Sequence, residues 1–263
     1  MNILTKILEQ KKIEVGALLE QPDPFATTTE KPRQSLFETL RKADTLQVIS
    51  EMKRASPSKG LIAEGADPVA QAKIYAKAGA AAISVLTDKE FFKGSFEDLA
   101  AVAEAVPTPL LCKDFIIDRV QIRFAKASGA SIILLIVAAL EDEVLQDLYG
   151  YATSLGLEVL VEVHDVEELS RAIALGAKLI GVNNRDLRTF EVSLERTREI
   201  AEVFPFGEER VLISESGIWT SDDAKNVAMM GASAVLVGES LMRSGDAGTA
   251  LKSLQVPKVG LSI

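Results

Sequence analysis

Gly129-Ala130-Ser131-Ile132-Ile133-Leu134-Leu135-Ile136 decides how the rest of this chain is read. A helix-period segment ends in a small-residue turn, and a run of branched apolar residues follows at once. The same signal returns at Gly79-Ala80 before Ala82-Ile83-Ser84-Val85-Leu86, at Gly176-Ala177 before Leu179-Ile180-Gly181-Val182, and at Gly231-Ala232 before Ala234-Val235-Leu236-Val237. Between these turns fall four more apolar strands, Val48 to Lys53, Leu110 to Lys113, Val159 to Val163 and Val211 to Ser214. Strands that are apolar on both faces belong to a parallel sheet covered by helices. Eight of them, alternating with helices, predict an α/β fold closed into a (β/α)8 TIM barrel. An open doubly wound sheet is the alternative. Asp67, Asp118, Ser193 and Thr220 stand where helices should start, and their short polar side chains suit N-caps.

Residues 1–46 do not share the repeat. Ile3, Leu4, Ile7 and Leu8 recur at helical spacing, Ile13, Val15, Leu18 and Leu19 follow, and Pro22 and Pro24 end the pattern. A second short helix is expected from Ser35 to Lys42, with Leu36, Phe37 and Leu40 on one side. The expectation is therefore a single barrel domain over 1–263, of which 1–46 is an N-terminal two-helix extension covering the barrel mouth.

Composition narrows the partners. With 263 residues, 48% apolar and 25% charged, the chain can bury one large core. A net charge of −9 and an isoelectric point near 4.9 leave no basic stripe for phosphate backbones or anionic lipid, so neither nucleic acid nor a membrane is expected. One Cys and one His exclude a disulfide framework and a Cys/His metal cluster. A carboxylate-only Mg²⁺ site stays formally open, but no metal and no cofactor is expected. The longest apolar run, Ile132 to Leu140, is far shorter than the roughly 20 residues a helix needs to span a bilayer, and the N-terminus lacks a signal-peptide pattern. A soluble, cytoplasmic, monomeric protein acting on a small molecule is the resulting expectation.

Barrels of this kind place chemistry at the carboxyl ends of their strands. In Val48-Ile49-Ser50-Glu51-Met52-Lys53, alternation puts Ile49, Glu51 and Lys53 on one face, so an acid and a base point the same way. The same rule pairs Leu111 with Lys113, Leu160 with Glu162, and Asn183 with Arg185. If those faces point inward, the mouth collects Glu51, Lys53, Lys113, Glu162, Asn183, Arg185 and Glu215. Mixed charges in an apolar funnel shift one another's proton affinity, which suits acid/base catalysis; a purely structural ion lattice is the bland alternative. Ser216-Gly217-Ile218 and Val237-Gly238-Glu239-Ser240 occupy the loops after strands seven and eight, where backbone N–H groups bind phosphate in such barrels, and Ser56 can add a hydroxyl. Plain turn glycines are the other reading. Phe91, Phe92 and Phe115 would wall an aromatic ligand or pack a lid. His164 reads as a loop or cap residue, and Cys112, out of phase with Lys113, should face the helices.

Four stretches in combination go beyond a generic barrel: Ser50-Glu51-Met52-Lys53-Arg54-Ala55-Ser56-Pro57-Ser58, Leu111-Cys112-Lys113-Asp114-Phe115-Ile116, Gly181-Val182-Asn183-Asn184-Arg185-Asp186-Leu187 and Ser214-Glu215-Ser216-Gly217-Ile218. Together with the helical extension they resemble the indole-3-glycerol phosphate synthases, over nearly the whole chain. The resemblance implies a carboxy-lyase of tryptophan biosynthesis that closes the ring of 1-(2-carboxyphenylamino)-1-deoxyribulose 5-phosphate with loss of CO₂ and water. It implies Lys113 as the general acid at the ketone oxygen and Glu162 in proton transfer during dehydration. Lys53 would stand near the carboxylate and leaving hydroxyl, while Glu51 and Asn183 hold catalytic groups and ribulose hydroxyls. Arg185, Glu215 and Ser216 would complete the pocket. Ser56, Gly217, Gly238 and Glu239, the last through its backbone, match the phosphate site; Phe92, Phe115, Leu134 and Ile136 match the wall for the anthranilate ring. Burial of Lys113 among apolar residues is expected to disfavour its charged form and so make it a better acid, a neighbouring carboxylate keeping it protonated. A Schiff-base aldolase needs the same barrel, phosphate site and strand-end lysine, and is the enzyme alternative. A barrel that only binds a phosphorylated ligand would leave the acids and bases on several separate strands unexplained.

Overall fold

Eight parallel strands close into a barrel in the computed structural model, which describes residues 3–22, 24–27, 32–57, 60–61 and 65–258. Ser58 of the first motif lies outside the described residues. The strands are β1 (Gln47–Met52), β2 (Ala82–Leu86), β3 (Leu110–Lys113), β4 (Ile132–Ile136), β5 (Glu158–Val163), β6 (Leu179–Asn183), β7 (Val211–Glu215) and β8 (Ala234–Val237). Each pairs with its neighbours in sequence, and β8 returns to β1 with Ser50 opposite Val237. The closed ring rules out the open sheet. A two-residue hairpin, Ala55–Ser56 against Gly60–Leu61, adds a flap in the first loop.

The repeat turns do what their glycines allow. Gly79, Gly129, Gly176 and Gly231 have φ of 90°, 90°, 81° and 94°, the left-handed region in which a Cβ would be strained. Each stops a helix and lets the chain enter the next strand. The barrel helices are α3 (Pro68–Ala78), α4 (Phe96–Ala105), α5 (Arg119–Ala127), α6 (Asp142–Ser154), α7 (Val166–Ala174), α8 (Glu195–Ala201), α9 (Ser221–Met229), α10 (Glu239–Arg243) and α11 (Ala247–Leu254). Asp67, Asp118 and Thr220 cap α3, α5 and α9 as expected, the last two within capping boxes. Ser193 falls one residue short. Leu194 holds the cap position of α8, and the Ser193 hydroxyl accepts from the Glu195 amide at 3.3 Å instead.

Strand alternation divides the core in two. Ile49, Leu111, Leu134, Ile136, Leu160 and Ile213 fill the barrel interior, while Val48, Met52, Cys112, Val161, Val182 and Leu212 pack between strands and helices. Inward positions near the carboxyl ends are therefore free to carry polar groups.

The extension is split between the two ends of the barrel rather than lying wholly over its mouth. The helix α2 (Leu36–Lys42) puts Leu36, Phe37 and Leu40 into the interior cluster beside Ala82, Ile132 and Leu179, which open their strands. It plugs the amino-terminal end. Glu158, the first residue of β5, accepts from the amides of Leu36 and Phe37 at 2.7 and 2.9 Å, so a carboxylate sits at the positive end of that helix. The helix α1 (Ile3–Leu19) lies instead at the mouth, against α5. Its buried stripe is Ile7, Lys11 and Val15, whereas Ile13 and Leu19, expected on the apolar face, are exposed.

Candidate active site

One cavity of about 350 Å³ opens at the carboxyl ends of the strands. Every residue that the family resemblance assigns to the site lines it, from Glu51, Lys53 and Ser56 in the first strand and loop to Gly238 and Glu239 after the last. Phe91, the third aromatic residue considered, does not line it. Alternation accounts for the convergence, because each polar residue extends an inward apolar row one step beyond the packed layer.

Lys113 is the centre of the charged group. Its ammonium lies 2.7 Å from Glu215 Oε2 and 3.5 Å from Glu162 Oε2. Glu51 pairs with Lys53 at 2.7 Å and accepts from the Ser84 hydroxyl at 3.3 Å. Burial alone would release the Lys113 proton more easily, but Glu215, Glu162 and Glu51 outweigh it and hold the proton affinity above the ordinary lysine range. The expected lowering is thus reversed, since three carboxylates face one ammonium. Burial pushes the Glu215 carboxyl up to about 7, with Lys113 opposing and Glu162 and Glu51 reinforcing the rise. Burial acts the same way on Glu51, but Lys53 and Lys113 win there and its carboxyl is held below the usual range.

Neutral groups fix the carboxylates. Asn183 donates to Glu162 Oε1 at 3.1 Å, while its carbonyl oxygen accepts from the Ser216 hydroxyl and the Arg185 amide, each at 3.1 Å. Ser216 and Gly217 have φ of 66° and 85°, so two successive left-handed residues turn the chain across the mouth. Gly181 is needed for a different reason. A Cβ there would stand 2.1 Å from Glu215 Oε1, so the carboxylate occupies the space that any side chain on β6 would take.

Two apolar and polar borders complete the cavity. Phe92 and Phe115 pack with ring centroids 6.0 Å apart, beside Leu134 and Ile136. Glu239 turns its carboxylate to Arg243, 3.1 Å away, and lines the cavity together with Gly238. Cys112 is buried in the outer core, and burial pushes its thiol up.

Several contributors were not foreseen. Ile3, Leu4 and Ile7 of α1 line the cavity, as do Phe190 and Trp219. Lys11 is buried beneath them, with its ammonium 2.8 Å from Asp88 and 2.8 Å from Asp114. Asp114 also accepts from Thr87 and from the Phe115 amide, both at 2.7 Å, so one carboxylate joins α1 to the ends of β2 and β3 beside Lys113. Asn184 is the outward counterpart of Asn183. Its amide donates to Ser214 Oγ and to the carbonyls of Glu215 and Ser216 at 2.9, 3.0 and 3.1 Å, tying β6 to the residues that present Glu215. The doubled Asn in the sequence was the available signal, since alternation sends one inward and one outward.

The chain is similar to known proteins over nearly its whole length. The family model described as indole-3-glycerol phosphate synthase matches residues 4–254. An indole-3-glycerol phosphate synthase of Exiguobacterium sibiricum is 56% identical over 245 residues, covering 93% of each chain. One of Oceanobacillus iheyensis is 50% identical over 263 residues, covering both chains fully. A 3-hexulose-6-phosphate synthase from Salmonella typhimurium shares the fold alone, at 14% identity and a TM-score of 0.63 over 80% of this chain and 96% of that one.

Proposed function

The chain belongs to the indole-3-glycerol phosphate synthase family, and we propose that Lys113 is the acid that protonates the ketone oxygen as its barrel closes the indole ring. The enzyme converts 1-(2-carboxyphenylamino)-1-deoxyribulose 5-phosphate to indole-3-glycerol phosphate, CO₂ and water. The observation that carries the assignment is the Lys113 ammonium, set 2.7 Å from Glu215 and 3.5 Å from Glu162 in a cavity with an aromatic wall. As the ring carbon attacks, the ketone becomes an alkoxide, a far stronger base than either carboxylate. The ammonium that balanced Glu215 and Glu162 at rest is then drawn to the new charge and gives up its proton only there, which is where an acid accelerates the step.

Dehydration follows from the neighbouring groups. Lys53, positioned by Glu51, stabilises the substrate carboxylate and then the departing hydroxyl; Glu162, oriented by Asn183, moves the proton. Phe92, Phe115, Leu134 and Ile136 hold the anthranilate ring. Ser56 and the backbone of Gly217, Gly238 and Glu239 hold the phosphate, while Arg185, Glu215 and Ser216 close the ribulose side. Every group needed comes from one chain, which supports action as a monomer on a diffusible substrate. We take the cytoplasm as its place of work, as fits a biosynthetic enzyme of this family. No helix among the described residues is long and apolar enough to cross a membrane.

A Schiff-base aldolase would need Lys113 as a neutral amine, and the surrounding carboxylates favour its ammonium. The deciding experiment adds the carboxyphenylamino substrate and follows indole fluorescence with and without borohydride. Indole appearing in both arms, with no protein adduct, is the expected result; a borohydride-trapped Lys113 adduct without indole would sink the reading.

A further inference from the structure

The single histidine of the chain is not needed for the steps above, yet it is built against one of their groups. His164 directly follows β5, and Glu168, one turn into α7, accepts both its backbone amide at 2.8 Å and its ring Nδ1 at 3.0 Å. A carboxylate accepts only, so Nδ1 carries a proton and Nε2 is the exchanging atom. Nε2 faces Glu162 Oε1 at 3.4 Å and is buried with no hydrogen-bond partner among the described residues. Beyond it, Glu162 Oε2 faces the Lys113 ammonium.

We propose that His164 is a positioning residue for Glu162 that stores, on Nε2, the proton each turnover consumes. This deepens the assignment of Glu162 to proton transfer and rests on it. The balance requires such a store. The carbon–carbon bond forms as the bond to the carboxylate breaks, and the electron pair of that bond restores the aromatic ring as CO₂ leaves. The ketone oxygen takes up two protons before departing as water, while the carbon beside the nitrogen gives back one. One proton is therefore consumed per cycle, inside a cavity that α1 and Trp219 help to close.

An imidazolium at His164 meets this need. It passes its Nε2 proton to Glu162 Oε1 and remains as the neutral ring, Nδ1–H still donated to Glu168. Water recharges Nε2 after product release. The charged groups around it favour the stored form: Glu162 on its own strand, Glu168 on α7 and Glu215 on β7. The Arg196 guanidinium of α8 faces the His164 carbonyl at 3.5 Å and is paired with Asp186 at 2.8 Å. Burial alone would favour the neutral ring, but Glu168, Glu162 and Glu215 outweigh it and raise its proton affinity above the ordinary histidine value.

With one histidine, nuclear magnetic resonance reads this ring without ambiguity. In the wild-type enzyme the ring should be an imidazolium at neutral pH, and its titration should move downward in Glu162→Gln. His164→Gln should lose roughly tenfold in kcat on the alkaline side, less than the 10²–10⁴ typical of a direct proton-transfer group. KM should stay unchanged, and added imidazole should restore part of the loss. A ring that is neutral throughout the active range, or a His164→Gln pH profile superimposable on wild type, overturns the proposal. If His164→Gln does not fold, the wild-type titration and the profile of Glu168→Gln, which should lose its alkaline activity earlier, decide it. An unimpaired Glu162→Gln would instead defeat the role of Glu162 itself, whereas an impaired Glu162→Gln beside an unaltered His164→Gln defeats only the store.

Discussion

Lys113 Nζ is held 2.7 Å from Glu215 Oε2 by strands β3 and β7, which stand on opposite sides of the closed ring. The ion pair therefore spans the barrel, and neither partner is placed by its immediate neighbours.

This pairing favours the ammonium at rest, and in the proposed mechanism the lysine donates its proton only when a stronger base forms beside it. Lys113→Ala should accordingly lower kcat by about 10²–10⁴-fold with little change in KM, because the proton matters in the transition state. Steady-state kinetics at saturating substrate checks this, and an unchanged kcat would remove Lys113 from the mechanism.

Glu215 gives the fold a pH dependence of defined sign. Its carboxyl is raised from 4.5 to about 7 in the folded chain, so between these values the folded state binds a proton that the unfolded state has released. This contribution to stability is fully present at the acid end of the window and fades as pH rises through it. Urea unfolding of wild type and Glu215→Gln across that window should show the wild type losing its advantage toward neutral pH. A wild-type advantage that grew instead would reverse the assignment.

The proposed recognition of phosphate by backbone donors has a separate signature. Inorganic phosphate should compete with substrate, and Glu239→Gln should leave its inhibition constant nearly unaltered, since that carboxylate already faces Arg243. A Cβ on Gly238 would lie 3.0 Å from Glu51 Oε1, so Gly238→Val should weaken phosphate and also disturb Glu51. A large gain in phosphate affinity on removing the Glu239 carboxylate would show that its side chain faces the anion.

Lys11→Met tests how α1 is held. It leaves Asp88 and Asp114 buried without their shared cation, and breaking a buried pair in this way costs about 3–5 kcal/mol. A chain beginning at Gln34 removes the helix together with the lysine and opens both carboxylates to water. It should still give the circular dichroism of a barrel, but bind substrate more weakly and turn it over more slowly. Unfolding of the shortened chain would make α1 a structural brace; unaltered activity would make it an appendage.

What the sequence disclosed, and what it hid, follows from the range of the forces involved. The glycine turns and apolar strands were legible because backbone conformation and burial write themselves into neighbouring residues. Alternation then aimed Glu51, Lys113, Glu162 and Asn183 into the cavity that they line. Lys11 was illegible. Its partners Asp88 and Asp114 lie in other strands' loops, and a lysine between Ile7 and Val15 reads as the polar side of a helix until those acids are seen. The place of α2 was hidden for a related reason, since Leu36, Phe37 and Leu40 announce a buried face without saying which end of the barrel receives it. The direction of the Lys113 shift needed three distances from three strands, and no local pattern encodes those.

The seam between β1 and β8 brings Ser50 opposite Val237 and sets Glu51 against Gly238, so the cavity draws on both the first strand of the barrel and the loop after the last. A growing chain on the ribosome has made nine of every ten lining positions before Gly238 exists, and the phosphate cradle proposed above is still incomplete. Ligand affinity is thus a late-arriving property during refolding. The moment at which phosphate first slows proteolysis of a renaturing sample marks the docking of β8, and fragments ending before it should be as easily digested with the anion as without.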